Sequence, residues 1–308
     1  MPELPEVETT RRGITPKIEG QTVTKVIIRN GALRWPVDAD LPQKLPGLVV
    51  SEVSRRGKYL LLKTQQGTLL IHLGMSGNLR VLPIGTPLLK HDHVDLEFDN
   101  GFVLRLNDPR RFGSVLWHPA SAGSVETHKL LTKLAPEPLT EAFNGDYFYE
   151  QTRHRKVAIK SLVMNSAVAV GAGNIYANES LFMSQIHPQT QACLLSKKQC
   201  NLLVENIKKV LEAAIKQGGT TLKDFLAPDG KPGYFVQQLN VYDQGGKPCV
   251  VCKTPIERMV LNQRASYFCP TCQKLKTPRK TGHKAPLKSA AKPSARAALK
   301  ATPKRAPK

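Results

Sequence analysis

Four cysteines and a proline near the start of the chain carry the chemistry most readily read from this sequence. Cys249 and Cys252 form one CxxC pair and Cys269 and Cys272 a second, with sixteen residues between the pairs. Two such knuckles place four thiolates tetrahedrally around one Zn²⁺ ion with no open coordination position, so the metal is structural. Cys193 and Cys200 lie outside the pattern and read as core thiols. The chain begins MPELPEVE. Pro5, Glu6 and Glu8, followed by Val7, Arg11, Arg12 and Ile14, fit a helix start, with proline in the first turn and carboxylates at the positive end of the macrodipole. Pro2 and Glu3 precede that helix. Initiator Met is removed before a residue as small as proline, which makes Pro2 the expected N-terminus. Its secondary amine, with a pKa of ~8, attacks an aldehyde-level carbon to form an iminium, and Glu3 stands beside it to shuttle protons. Capping and catalysis both fit this motif taken alone.

The elements that must position these groups differ between the two halves of the 308 residues, a length that allows two modest domains. In the first half TVTKVIIRN, LVVSEVSRR, KYLLLKT, GTLLIHL, HVDLEF, GFVLRL and GSVLWH are short alternating or β-branched runs, and the DNG after HVDLEF signals a hairpin. A β-sandwich or flattened barrel behind one leading helix is expected. After LAPEPLTEAFNGD, which reads as a linker, helical periodicity takes over. Its clearest instance is the stripe Leu202, Leu203, Ile207, Val210, Leu211, Ala214 and Ile215. Between the cysteine pairs TPIERMVLNQRASYF reads as a hairpin carrying Arg258, Gln263 and Arg264, suited to a nucleic-acid groove.

Lys and Arg number 45 against 24 Asp and Glu, a formal charge of +21 that favours a polyanionic partner. Residues 273–308 hold nine lysines, three arginines and no acid, leaving +9 on the rest. This tail cannot bury a core and is expected to be disordered. No apolar run reaches the ~18 residues of a membrane span, and no secretory signal is evident; a soluble, cytoplasmic protein is expected. Two further constellations stand out. In VAVGAGNIYANESLF the glycines before Asn174 fit either a phosphate-binding helix N-terminus or a tight turn with Asn as cap. HLGMSGNLR and NDPRRFGSV expose Met75, Arg110, Arg111 and Phe112 in turns, where apolar side chains can serve as wedges in a base stack.

MPELPEVET, RRGKYLL, IHLGMSG, HDHVDLEF, NDPRRFG, GNIYANESLF, QGGTTLKDF, DGKPGYF and the paired CxxC finger together resemble bacterial formamidopyrimidine-DNA glycosylases, from residue 1 to Cys272. The resemblance implies an α+β protein: an N-terminal β-sandwich with flanking helices (1–135), a hinge (136–152), a helix-two-turn-helix domain (153–240) and a zinc-finger hairpin (241–272), before the tail. It implies a base-excision enzyme for 8-oxoguanine and formamidopyrimidines in double-stranded DNA, monomeric and nucleoid-associated, with one structural Zn²⁺ and no catalytic cofactor.

By the same resemblance Pro2 is the nucleophile that attacks C1′ and drives β- and δ-elimination. Glu3 is the acid at the sugar ring oxygen, Glu6 a second acid nearby, and Lys58 the lysine at the lesion, set by a tight approach at Gly57. His72 and Met75 belong to the wedge loop, Arg110 fills the gap opposite the estranged base and Phe112 probes the stack. His93, Arg111 and Tyr242 are further DNA contacts. Lys156, Asn174 and Arg264 grip phosphates, Arg264 also at the catalytic centre. Residues 217–234, including Thr220, Thr221 and Tyr234, match a loop over the extruded base. Ala172 and the RHRK run depart from the family pattern, and the tail has no counterpart in it. The alternatives are an endonuclease VIII-type enzyme for oxidised pyrimidines, which shares the terminal Pro-Glu, and a non-catalytic DNA-binding protein on the same scaffold.

Overall fold

The computed structural model describes residues 2–220 and 239–278. Helix α1 (Leu4–Ile18) turns Leu4, Val7, Ile14 and Ile18 inward, all at most 1% exposed. Its first turn is satisfied from within, the Glu3 amide donating to Glu6 Oε2 at 2.8 Å, and Pro5 stands where a missing N–H costs nothing. There follow β1 (Val23–Ile28), the short α2 (Leu41–Lys44), β2 (Glu52–Arg56), β3 (Tyr59–Thr64), β4 (Gly67–His72), β5 (Asn78–Pro83), β6 (Asp92–Phe98), β7 (Phe102–Asn107) and β8 (Ser114–Pro119).

These strands make two antiparallel four-stranded sheets, ordered β1-β6-β7-β5 and β2-β3-β4-β8. Alternation along each strand decides which residues meet. Leu60, Leu62, Leu69 and Ile71 share one core with Val26, Leu96, Phe98 and Leu104 of the other sheet, whereas Leu61 and Leu70 pack on the reverse face under Leu131. The expected sandwich is therefore present, and so is the hairpin at DNG, β6 pairing with β7. Strand β5 is an addition to the expected strands. Its short run NLRVLP follows the Gly-Met-Ser-Gly turn and becomes a strand by pairing with β7, Leu79 opposite Leu106 and Val81 opposite Leu104.

Helices α3 (Gly145–Thr152), α4 (Ile159–Val163), α5 (Asn174–Met183) and α6 (Lys197–Lys216) build a second core. A Ser196–Gln199 capping box starts α6. The expected stripe is buried except for Leu202, which is 41% exposed, while Cys200 and Val204 take places on the buried face. Cys200 is thus a core thiol; Cys193 is only half-buried. Helix α3 falls within the stretch expected as a hinge: Phe143 and Phe148 are fully buried in the helical core, so this domain begins ahead of residue 145.

The hairpin between the cysteine pairs is formed by β9 (Glu257–Leu261) and β10 (Arg264–Phe268). Asn262 and Gln263, at φ +47° and +60°, make a two-residue turn whose hand matches strand twist. Gln273, expected as the first tail residue, belongs to the finger: buried, it accepts the Cys269 amide at 2.9 Å and donates to Ile186 O at 2.8 Å. The rest of the tail, from residue 279, lies outside the described residues. Among those described, no helix is long and apolar enough to cross a membrane.

Candidate active site and nucleic-acid interface

The two N-terminal carboxylates lie where the cores meet, Glu3 and Glu6 each 2% exposed. Glu3 Oε2 accepts the Gly173 amide at 2.7 Å and Oε1 the Ile175 amide at 3.0 Å. The carboxylate thereby occupies the N-terminus of α5, where orphan amides and the macrodipole stabilise an anion. A Cβ on Gly173 would lie 2.3 Å from Glu3 Cδ, so the glycine run is shaped to receive residue 3. This corrects the phosphate reading of that run: the Gly173 and Ile175 amides already bind an anion, supplied by the protein itself. Glu6 accepts from the Glu3 amide, from Tyr176 Oη at 2.5 Å and from the Thr220 amide at 2.8 Å. Burial and then the charge of Glu3 push its carboxyl above the ordinary range, against the pull of these donors.

Pro2 is buried and lines a cavity of about 430 Å³ with Lys58, Tyr59 and His72. Lys58 follows the tight turn anticipated at Gly57, which has φ +58° and where a Cβ would sit 2.6 Å from Val170 Cγ2. Burial lowers the Lys58 ammonium below the usual lysine range, while Glu3 and Glu6 draw it back up. Amine and carboxylates therefore share one electrostatic neighbourhood. His72, paired across the strands with Tyr59, accepts the Gly74 amide on Nδ1 at 3.0 Å. Its proton then resides on Nε2. Burial, reinforced by Lys58 and Arg34, lowers its pKa to about 4, leaving a neutral N–H donor at neutral pH.

His72 and Gly74 also border a second cavity of about 720 Å³, lined by Arg34, Met75, Arg110, Phe112 and Arg264. Phe112 is 42% exposed beneath the Arg110 guanidinium, 4.8 Å from its ring centroid; Arg111 is also exposed. Asp108 pins the loops that carry these groups, accepting Ser76 Oγ at 2.8 Å on Oδ1 and the Gly113 amide at 2.8 Å on Oδ2. His93, expected as a DNA contact, is buried with Nε2 2.9 Å from Asp108 O. Its place is behind the Arg110 turn, as a brace.

Asn174 opens α5, with Oδ1 buried and unpartnered and its side chain meeting the Tyr242 hydroxyl. Such a part-satisfied amide is open to a ligand. Tyr242 is held by Glu179, whose carboxylate accepts the amides of Asn240, Val241 and Tyr242 at 2.9, 3.0 and 2.8 Å. Arg264 is exposed at the start of β10. Its strand is fastened by buried Lys160, which donates to Ala265 O at 2.8 Å and Ser266 Oγ at 2.6 Å. Lys156 is exposed before α4 and lines neither cavity. Thr220 is buried against Glu6, whereas Thr221 and Tyr234 lie outside the described residues.

The sequence reading did not single out Arg34, Asp108, Lys160, Tyr176 or Glu179. A usable signal existed for two of them: Lys160 and Glu179 are lone charges within the apolar stretches AIKSLV and ANESLF, where a charge must find a partner.

The four cysteine Sγ atoms lie within 4.8 Å of one another, Cys252 to Cys269 at 3.3 Å and Cys249 to Cys272 at 3.9 Å. A tetrahedral zinc with bonds of ~2.3 Å needs sulfurs about 3.8 Å apart, so this all-thiolate set fits a closed structural site.

Three family models match the chain: the formamidopyrimidine-DNA glycosylase N-terminal domain over residues 1–115, the H2TH domain of the same enzymes over 134–225, and the zinc finger found in FPG and IleRS over 246–275. The formamidopyrimidine-DNA glycosylase of Hydrogenovibrio crunogenus is 62% identical over 274 residues, 89% of this chain and 97% of its own length. That of Aliivibrio fischeri (strain MJ11) is 55% identical over 273 residues, covering 89% and 98%. Among solved structures, a Lactococcus lactis FPG mutant bound to Fapy-dG-containing DNA superposes with a TM-score of 0.83 at 32% identity, covering 89% of this chain and all of that one. The MutM (FPG) protein of Thermus thermophilus gives 0.79 at 36% identity, covering 90% and 100%. With its sandwich, glycine-seated Glu3 and four-cysteine finger, this chain belongs to the formamidopyrimidine-DNA glycosylase family.

Proposed function

We propose that this protein is a base-excision-repair glycosylase and abasic-site lyase acting on oxidised purines, 8-oxoguanine and formamidopyrimidines, in double-stranded DNA, as a monomer in the cytoplasm at the nucleoid. The observation that carries the reading is Pro2 at the wall of a cavity shared with Lys58 and His72, with Glu3 fixed next to it by two backbone amides. After removal of Met1, the Pro2 nitrogen gives its lone pair to C1′ of the damaged nucleotide. The C1′–base bond breaks with its electron pair on the base, which takes up a proton. The Glu3 carboxylate takes the N–H proton that Pro2 sheds on bonding to C1′ and delivers it to the ring oxygen as the C1′–O bond opens with its electron pair on oxygen, and C1′ becomes an iminium carbon on Pro2. Loss of a C2′ proton expels the 3′ phosphate, and a second elimination expels the 5′ phosphate. Hydrolysis of the Schiff base returns Pro2.

The neutral Nε2–H of His72, the Arg264 guanidinium and the Asn174 amide suit the flanking phosphates. Exposed Arg110 and Phe112, with half-buried Met75 lining the same cavity, suit the gap left by an extruded base. Residues 217–234, with Thr220, Thr221 and Tyr234, are assigned to the loop over the extruded base. Zn²⁺ bound by Cys249, Cys252, Cys269 and Cys272 supplies rigidity to the hairpin that presents Arg264. The test is borohydride trapping on 8-oxoguanine and thymine glycol duplexes with mapping of the adduct. An adduct on Pro2, formed faster with 8-oxoguanine, supports the reading. Faster reaction with thymine glycol favours the pyrimidine enzyme, and no adduct on either duplex favours a non-catalytic binder.

A further inference from the structure

Tyr176 is fully buried in the first turn of α5, directly after Ile175, whose amide helps to hold Glu3, and takes no part in the scheme above. Its hydroxyl has a single proton. That proton goes to Glu6 Oε1 at 2.5 Å, so the Thr220 hydroxyl, 2.9 Å away, is the donor to Tyr176 Oη. Glu6 Oε1 also accepts the Thr220 amide at 2.8 Å, while Oε2 holds the Glu3 amide, the N–H of the Pro2–Glu3 peptide, at 2.8 Å. Glu6, Tyr176 and Thr220 are each at most 2% exposed, so these bonds are shielded from bulk water. The ring anchors the carboxylate to the rigid helical core, and the carboxylate in turn orients the peptide that carries the nucleophile.

We propose that Tyr176 is a positioning residue: through Glu6 it fixes the Pro2–Glu3 peptide in the orientation for attack. The inference rests on Pro2 being the nucleophile. A reacting group displaced by even a fraction of an ångström loses rate and not affinity, so the effect belongs in the chemical step. Among the described residues, the charged or titratable groups around Glu6 are Glu3, Lys58 and Tyr176 itself. Glu3 and burial raise the Glu6 pKa and the Tyr176 donor lowers it, so removing the phenol hydroxyl raises it further.

The test compares wild-type protein with Tyr176→Phe, measuring the single-turnover trapping rate on an 8-oxoguanine duplex, the affinity for the same duplex and the pH–rate profile. The expected result is a rate about tenfold lower, affinity within twofold of wild type, and an acid limb moved to higher pH. Thr220→Val, which removes the second hydroxyl and keeps the amide, shifts rate and acid limb in the same direction by less. Glu6→Gln combined with Tyr176→Phe is no slower than Glu6→Gln alone. An unchanged rate, an affinity loss as large as the rate loss, or additive effects of the Glu6 and Tyr176 changes would overturn the proposal. A wild-type protein that forms no adduct overturns the Pro2 reading instead, and is recognised before any variant is compared.

Discussion

Glu3 and Gly173, 170 residues apart in the chain, are joined by a 2.7 Å hydrogen bond from amide to carboxylate, and a Cβ at position 173 would come within 2.3 Å of that carboxylate's carbon. The N-terminal acid therefore owes its position to a helix of the other domain.

Substitution of Gly173 by Ala tests that dependence. The added methyl displaces Glu3 from the start of α5, and the trapping rate is expected to fall at least a hundredfold, as removal of a proton donor in the transition state does. Stability falls by about 1–3 kcal/mol through overpacking. A variant that traps at the wild-type rate would show that Glu3 reaches its working position without this seat.

His72 provides the pH dependence. Its pKa of about 4 in the folded protein lies below the ordinary 6.5, so the unfolded chain binds more protons between these values. Folding stability is expected to decline as pH falls from about 6.5 toward 4, and His72→Gln to lack this component. Nitrogen-15 NMR of the imidazole checks both points: a neutral ring with the proton on Nε2 at pH 6 is expected. A ring that titrates at its ordinary value would contradict the assignment of His72 as a neutral donor.

The finger should depend on its metal. Because metal binding is folding energy for so small an element, Cys269→Ser or strong chelation is expected to unfold β9 and β10, release Arg264 and reduce duplex affinity by at least a hundredfold. Near-ultraviolet signals of Trp35 and Trp117, which sit in the N-terminal domain, should persist. Normal duplex binding by metal-free protein would refute a structural role for the ion.

The tail makes a separate prediction. From Lys276 to Lys308 every fourth residue is basic, eight lysines and Arg296, with no acid in the run; the family models end at residue 275. An evenly spaced polycation binds phosphate through counterion release without reading sequence. A chain ended after residue 278 is expected to keep its single-turnover rate at saturating protein. It should bind undamaged duplex more weakly, with a salt slope smaller by a few units, at ~0.9 per phosphate. An unchanged slope would mean the tail touches no phosphate.

Signals that act over a few residues were legible in the sequence alone. The spacing of Cys249, Cys252, Cys269 and Cys272 announced the thiolate cluster, the alternation of Leu60 to Leu62 and of Leu69 to Ile71 announced sandwich strands, and the quoted motifs carried the family resemblance. Local pattern also supplied most of α6 and the β9–β10 hairpin, because backbone hydrogen bonding and side-chain periodicity are set within a turn or a strand. What only the tertiary structure decided is where buried polar groups find partners. Asp108 as the pin between the Met75 and Arg110 loops, His93 as a brace, Glu179 beneath Tyr242, and Glu3 on the amides of α5 all join residues distant in sequence. A buried charge must be compensated, yet its residue type and immediate neighbours do not say by which group. That choice is made when two separately legible domains close on each other, and in this protein it positions the proposed catalytic end of the chain.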